Sequence, residues 1–541
     1  MIKNSPAWLE KAVFYQIYPQ SFYDSNDDGI GDIPGIIEKL DYIASLGVNT
    51  VWINPCFVSP FEDAGYDVAD YYQVAPRYGT NEDLERLFAE AKQRDIRILL
   101  DLVPGHTSSE HAWFKASQEH EPNAYTDYYI WNNSIWEEPQ PDLPIIRGLS
   151  QRNGAYIVNF FAIQPALNYG FAKTDPAYPW MQPVDAPGPQ QVRQEIKNIM
   201  QFWLDKGASG FRVDMAMSLV KRDPDKRETM RFWRWIRDWL EDAYPEAVMI
   251  AEWGRPDQSI PAGFHSDFLL GFTSPGWISL FRKRGEGLWR DPYAWPFFDE
   301  SGHGDIRAFL DEYIPYWQAS KDEGYIALIT GNHDETPRLA NDRDAAQLKL
   351  IYLFLLTMPG TPFIYYGDEI GMCSQNLPSK EGGYDRTGAR TPMQWSQKTN
   401  AGFSNAPAED LYLPIDPSPN YPSVADQEED PQSLLNRVRS LIKLRKSISA
   451  LEADAEFSVV YAESGKLPFV YTRSKGGQHV LVALNPAKHP AQVILPGDTF
   501  NEKPAGLDVP QGASFTHTDV GWALRLPPVS GAVYLVERNK Q

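Results

Sequence analysis

Short apolar runs alternate with longer segments of helical period along much of this chain. Residues 13–18, 49–54, 97–103, 210–215, 248–252, 325–331 and 361–366 read as strands, and 264–271 as one more, sixth in order. These runs lack the clean apolar–polar alternation of a strand with one wet face, so both faces are predicted to be covered. Residues 33–46, 81–94, 190–206, 227–243, 306–320 and 345–358 carry the helical pattern, with Pro34 in a first turn, Gly47 past an end and Asn81 as a cap. Eight strand–crossover units predict an α/β fold, a closed (β/α)8 TIM barrel that presents functional side chains at the C-terminal ends of its strands. No glycine-rich phosphate loop follows the first strand, which argues against a doubly wound sheet.

The rhythm breaks after the third strand. Residues 104–189 are rich in proline, tyrosine, asparagine and tryptophan and are too many for a loop, so they predict an inserted domain that walls a cleft. A variable section at 373–430 and a helix at 434–447 lead to strands at 457–471, 479–485, 491–495 and 522–537, an antiparallel C-terminal domain. The expected divisions are 1–103 and 190–447 for the barrel, 104–189 for the insertion and 448–541 for the C-terminal unit.

Composition narrows the partners. A chain of 541 residues with a net charge of −22 repels nucleic acid and anionic membranes, whereas a neutral substrate is indifferent to that field. With 17 tryptophans and 28 tyrosines it is rich in flat side chains of the kind that stack on sugars or fill large cores. Two cysteines, Cys56 and Cys373, make no disulfide framework, no run reaches transmembrane length, and residues 1–10 lack a signal pattern, so a cytoplasmic location is expected.

The chemistry gathers around the run from Gly210 to Asp214, where Arg212 and Asp214 fall on one side of a strand. Alone they make an ordinary ion pair. The other strand ends add Asp101 and His106, Glu252, His333 and Asp334, and the segment after the second strand adds Asp63 and Tyr66. Carboxylates from several strands facing one mouth are costly to assemble, because like charges raise one another's pKa. Such a set suits cleavage of a glycosidic bond, by a nucleophile, an acid/base and a third group that steadies the charged sugar; a carboxylate metal site is the rival chemistry. Separately, Asp24, Asn26, Asp28 and Asp32, with the Ile30 carbonyl, form a tight oxygen-rich loop that suits a hard cation, or is a plain acidic turn.

These residues carry a resemblance. The segments 101–106, 210–214, 251–253 and 331–335 together resemble the alpha-amylase superfamily, glycoside hydrolase family 13, over nearly the whole chain. The resemblance implies a TIM barrel, an inserted domain B and a β-sandwich domain C. It implies Asp214 as nucleophile, Glu252 as general acid/base and Asp334 as transition-state stabiliser, with His106, Arg212 and His333 holding the sugar. Within the family the chain is similar to the exo-acting alpha-glucosidase and oligo-1,6-glucosidase-like group. That likeness implies that Asp63 grips a terminal glucose, that Tyr66 stacks beneath it, and that Arg390 pairs with Asp63 to close the pocket. It also implies structural calcium or magnesium on the loop from Asp24 to Asp32, remote from the chemistry. The expected activity is release of glucose from the nonreducing end of short α-linked oligosaccharides, with transglycosylation; a dedicated glucosyltransferase, a trehalose-synthase-like isomerase and a non-catalytic protein partner are the alternatives. Two departures stand out. Gly105 replaces the family's asparagine, which is expected to loosen the cleft wall, and Met215 follows the nucleophile where smaller or branched residues sort linkages. Trp253 either floors an acceptor subsite or packs in the barrel.

Overall fold

The computed structural model describes residues 5–537 apart from 139, 149, 272, 284–294, 383, 498–499 and 501–503. Eight parallel strands close a barrel: β1 (Phe14–Ile17), β2 (Thr50–Ile53), β3 (Arg97–Leu102), β4 (Gly210–Val213), β5 (Val248–Ala251), β6 (Ser266–Phe268), β7 (Tyr325–Ile329) and β8 (Thr361–Tyr365). They pair in sequence order and β1 closes on β8, Phe14 opposite Phe363. Nearly every strand residue is buried, which accounts for the missing alternation. β6 is shorter than the apolar run suggests: Ser266–Phe268 pair with β7, and only Ser266 and Asp267 pair with β5 as well.

Local chemistry fixes the crossovers. Asp32 caps α1 (Ile33–Glu38) by accepting from the Gly35 N–H at 2.6 Å. The single helix expected at 33–46 is broken at Lys39, whose ammonium sits 3.7 Å from the Tyr23 ring centre, and continues as α2 (Leu40–Leu46), which ends at left-handed Gly47. Thr80, not Asn81, caps α3 (Asn81–Gln93), through a reciprocal box with Asp83. Asn81 instead bonds back to the short strand Asp70–Val74 outside the barrel, donating to the Tyr72 carbonyl at 2.9 Å. Helices α4 (Pro187–Lys206), α5 (Arg227–Ala243) and α6 (Arg307–Ser320) complete the outer ring, with α7 (Ala345–Thr357) and α8 (Leu434–Ser447). α7 is apolar on all sides because it is covered on all sides; Leu350 and Leu353 lie where a Cβ at Gly531 of the C-terminal sheet would stand.

Residues 104–186 leave the barrel between β3 and α4 and carry the small pair Ile145–Ile146 with Tyr156–Ile157. The C-terminal part holds a five-stranded and a three-stranded antiparallel sheet. The five-stranded sheet contains β9 (Glu456–Tyr461), β10 (Phe469–Lys475), β11 (Gln478–Asn485), β13 (Ala505–Asp508) and β16 (Ser530–Leu535). The other contains β12 (Ala491–Leu495), β14 (Ser514–Thr518) and β15 (Gly521–Leu526). Val470 and Leu481 of one sheet meet Val493, Phe515 and Leu524 of the other in a shared core. Two runs read as single strands are each a pair: a turn at 462–468 splits the first, and Pro527–Pro528, which cannot donate to a ladder, split the second.

Two buried arginines, Arg445 of α8 and Arg473 of β10, bind backbone carbonyls where the barrel meets this part. Arg445 donates to the carbonyls of Leu356 (3.0 Å), Met358 (3.0 Å) and Gly360 (2.6 Å). Arg473 donates to Thr357 (2.6 Å), Glu452 (2.6 Å) and Ala455 (3.2 Å). Both clasp the C-terminal end of α7, where carbonyls lack helical partners and the dipole favours a cation. Arg473→Met is expected to cost about 3 kcal/mol, because it strands three buried carbonyls. A fall in the thermal unfolding midpoint checks this; an unchanged midpoint contradicts it.

Candidate active site

The C-terminal end of β4 shows how the backbone places the chemistry. Gly210 sits at φ +139°, and a Cβ there would lie 2.1 Å from the Val248 carbonyl oxygen, so only glycine lets β4 lie this close to β5. Arg212 then points into the barrel, 3% exposed. Its Nη1 donates to Asp101 Oδ1 (2.9 Å) and Asp214 Oδ1 (3.0 Å), and its Nη2 pairs with Glu252 Oε2 (2.8 Å). One cation thus faces three carboxylates from β3, β4 and the end of β5.

Burial pushes all three carboxyls up: Asp101 to about 6, Asp214 to about 7 and Glu252 to about 8, with Arg212 opposing the rise in each. Burial works against the Arg212 cation as well, but Asp101, Glu252 and Asp214 outweigh it and hold that pKa well above normal. The order leaves Glu252 the most readily protonated of the three. Met215 adopts φ +40°, unusual for a residue with a side chain, and its N–H donates to Glu252 Oε2 at 2.9 Å.

A hydrogen-bonded layer lies behind. Asp101 Oδ2 accepts from Trp52 Nε1 (3.0 Å) and the Tyr66 hydroxyl (2.9 Å). That hydroxyl meets His333 Nε2 at 2.8 Å, and the Tyr66 and His333 rings stack at 5.3 Å. The amides of Gln16 and Asn54 face His333 Nδ1 at 3.0 and 3.1 Å, so Nδ1 accepts and Nε2 carries the proton. Burial, with Arg390, Arg212 and Arg386 nearby, keeps this imidazole neutral against the pull of Asp334.

Asp63, Tyr66, His106, Asp214, Glu252 and Asp334 line one cavity, together with Arg386. Arg212, His333 and Arg390 stand behind its wall, each at most 3% exposed. The pairing of Arg390 with Asp63 is not what the structure holds. Arg386 is the arginine that joins the Asp63 carboxylate, and its Nη1 reaches Asp334 Oδ1 at 2.7 Å. Arg390, at the end of the tight turn Thr387–Arg390, is drawn backwards by Glu381 (3.2 Å), which Tyr18 holds at 2.6 Å. It donates to the His333 carbonyl (2.8 Å) and Asp334 Oδ1 (2.8 Å). Burial favours the neutral form of Asp334, but Arg386 and Arg390 override it and hold that carboxyl far below the usual range. At Asp63 burial wins over Arg386, and the pKa rises to about 6.

Gly105 does not leave the wall loose. A Cβ there would lie 2.5 Å from Asn159 Nδ2, so the side chain of Asn159 fills the place. That amide bridges His106 Nδ1 (3.3 Å) and Ser218 Oγ (3.1 Å), while its oxygen accepts from Lys221 (3.0 Å). Trp253 is packed, 2% exposed, with its indole N–H on Gln258 at 3.1 Å, and floors no subsite. Sequence reasoning missed Arg386, Gln16, Asn54 and Asn159. The first three carried a signal: Arg386 stands one turn before Arg390, and Gln16 and Asn54 are polar residues at strand C-terminal ends. Asn159 gave none, since its partners are distant in sequence.

The acidic loop lies apart and shares no residue with the cavity. Asp24 accepts from the N–H of Asn26 (3.1 Å), Asp27 (2.8 Å) and Gly29 (2.8 Å) and from Ser404 Oγ (2.6 Å). Asn26 accepts from Asp28 N–H (3.0 Å), and Asp28 from Ile30 N–H (2.9 Å). These successive turns offer oxygen donors and no soft ligand, the donor type that calcium or magnesium takes. A second acidic group, Glu10, Glu452 and Asp454, is already closed by Lys475 at 2.7, 2.6 and 2.5 Å.

Known proteins share this architecture. Residues 16–268 and 298–454 match the alpha-amylase family, described as "Alpha amylase, catalytic domain". The chain is 31% identical to an oligo-1,6-glucosidase of Heyndrickxia coagulans, over 98% of this chain and 100% of that one. It is also 31% identical to a trehalose synthase/amylase of Mycolicibacterium smegmatis, over 98% and 90%. A trehalulose synthase of Pseudomonas mesoacidophila MX-45 superposes with a TM-score of 0.78 at 27% identity, covering 98% of this chain and all of that one. An isomaltulose synthase mutant of Erwinia rhapontici NX5 in complex with sucrose gives 0.78 at 28%, covering 98% and 99%. Among the described residues no helix is long and apolar enough to cross a membrane. The chain belongs to the alpha-amylase superfamily, glycoside hydrolase family 13, and is an enzyme acting on small α-linked sugars, close to its oligo-1,6-glucosidase and isomaltulose-synthase members.

Proposed function

We propose that this enzyme takes a glucosyl unit from the nonreducing end of short α-glucosides with retention of configuration. The observation that carries the reading is the sharing of Arg212 by Asp214 and Glu252. Two carboxyls held side by side on one guanidinium favour a retaining displacement over one that places a water between them. Protonated Glu252 gives its proton to the glycosidic oxygen while ionised Asp214 attacks the anomeric carbon, forming a glucosyl ester. Glu252 then takes the proton of the incoming hydroxyl as its oxygen displaces Asp214. Asp63, held by Arg386, grips the sugar hydroxyls, and Asp334, kept anionic, faces the positive charge that develops on the ring.

The incoming hydroxyl is water or a sugar. The likeness to trehalose, trehalulose and isomaltulose synthases favours return of the glucosyl unit to a sugar, so transfer or isomerisation is the preferred reading over release of free glucose. With maltose, isomaltose, sucrose and trehalose as substrates, accumulation of a new disaccharide is expected; free glucose as the sole product would restore the hydrolase reading. Asp24, Asn26, Asp28 and Asp32 with the Ile30 carbonyl would hold a structural cation, which supplies cross-linking of that loop and no chemistry. Elemental analysis after dialysis is expected to find about one calcium or magnesium per chain; none found refutes it.

Activity needs Asp214 ionised and Glu252 protonated. It falls as pH drops through the raised pKa of Asp214 and again as pH climbs through the higher pKa of Glu252, so kcat/KM is expected to be bell-shaped. A profile that rises or falls in one direction only contradicts the assignment. Arg386→Ala frees Asp63 and leaves Asp334 to Arg390 alone, and it is expected to lower kcat/KM about 100-fold; Arg386→Lys does not restore it, because an ammonium lacks the fork. Steady-state kinetics on the best disaccharide read both variants.

A further inference from the structure

The reaction requires the glycosidic oxygen to sit against Glu252, so whatever that oxygen is attached to must lie along the neighbouring wall of the cavity. Met215 is fixed there by its own N–H on Glu252 Oε2. Met217 and Leu270 line the same cavity, and Phe160 and Tyr384 border it, 40% and 39% exposed. Phe160 comes from the inserted segment and Tyr384 from the chain after β8. Their rings lie 5.8 Å apart, and both meet Phe161, at 4.4 and 5.8 Å. Apart from the charged groups and the Asn332 amide, the cavity is lined by thioether, aliphatic and aromatic side chains. Glu335, a further carboxylate of the lining, is turned to Arg282 at 3.7 Å, while Asp63 and Arg386 hold each other. Large rings left in water at the opening gain free energy when an apolar surface covers them, and thioethers adapt to its shape.

Resting on the proposed glucosyl chemistry, we propose that the leaving and accepting group is recognised by its apolar surface, so that this enzyme cleaves and forms α-glucosides of apolar alcohols as well as of sugars. In cleavage the bond between the anomeric carbon and the alcohol oxygen breaks, an Asp214 oxygen bonds that carbon, and the alcohol leaves with the proton of Glu252. In synthesis the alcohol oxygen attacks the same carbon, its proton passes to Glu252, and the Asp214 carboxylate departs. No redox partner enters either direction.

The test is a series of methyl, butyl and hexyl α-glucosides, whose alcohols differ little in acidity and so probe contact rather than leaving ability. kcat/KM for hexyl is expected to exceed that for methyl about tenfold. Phe160→Ala and Tyr384→Ala are each expected to shrink that ratio, with thermal unfolding confirming that these half-exposed sites leave the fold intact. A flat series in the parent enzyme, or a ratio untouched in both variants, overturns the inference while the glucosyl mechanism stands. Absence of turnover on every α-glucoside, disaccharides included, overturns both.

Discussion

One guanidinium holds the active site together. Arg212 meets Asp101, Asp214 and Glu252 in a dry interior, and a single positive charge cannot compensate three negative ones there. The least costly solution is to keep one carboxyl protonated. Burial and the position of Glu252 make it the one, while Asp101, tied to Trp52 and Tyr66, stays lowest. The electrostatic economy that lets the barrel fold around these groups is therefore the same one that sets a readily protonated carboxyl beside a more acidic one, as the proposed mechanism requires.

The rest of the structure maintains that arrangement. Gly210 permits the close approach of β4 to β5, which brings Asp214 and Glu252 onto one arginine. The chain from the Gln16 and Asn54 amides through His333 and Tyr66 to Asp101 fixes the orientation of each ring and hydroxyl. Across the cavity a second charge cluster has more cation for each carboxylate. Two arginines converge on Asp334, which therefore stays anionic, and Arg386 ties it to Asp63. Glu252 and Asp334 have opposite protonation tendencies because Glu252 shares one arginine with two other carboxylates, whereas two arginines meet on Asp334.

Much of this was legible in the chain. Runs buried on both faces announced parallel strands, and polar residues at their ends announced a mouth. What escaped depended on contacts the chain order does not record. Arg390 and Arg386 are one turn apart and equally plausible partners for Asp63; only the position of Glu381, held by Tyr18, decides between them. The missing side chain at Gly105 looked like a gap, but Asn159 reaches in from the inserted segment to fill it. The strand limit near Pro527 was misplaced because the apolar run continues through a turn, and the one at 462–468 because the polar turn from Glu463 to Lys466 was read through.

The central claim is that Asp214, beside protonated Glu252, becomes covalently bonded to the sugar. Trapping with a 5-fluoro-α-glucosyl fluoride, followed by peptide mass spectrometry, tests it most directly. The account predicts one added fluoroglucosyl unit on the peptide carrying Asp214, lost on incubation with an acceptor. An adduct on another carboxylate, or turnover with inversion and no adduct, would contradict it.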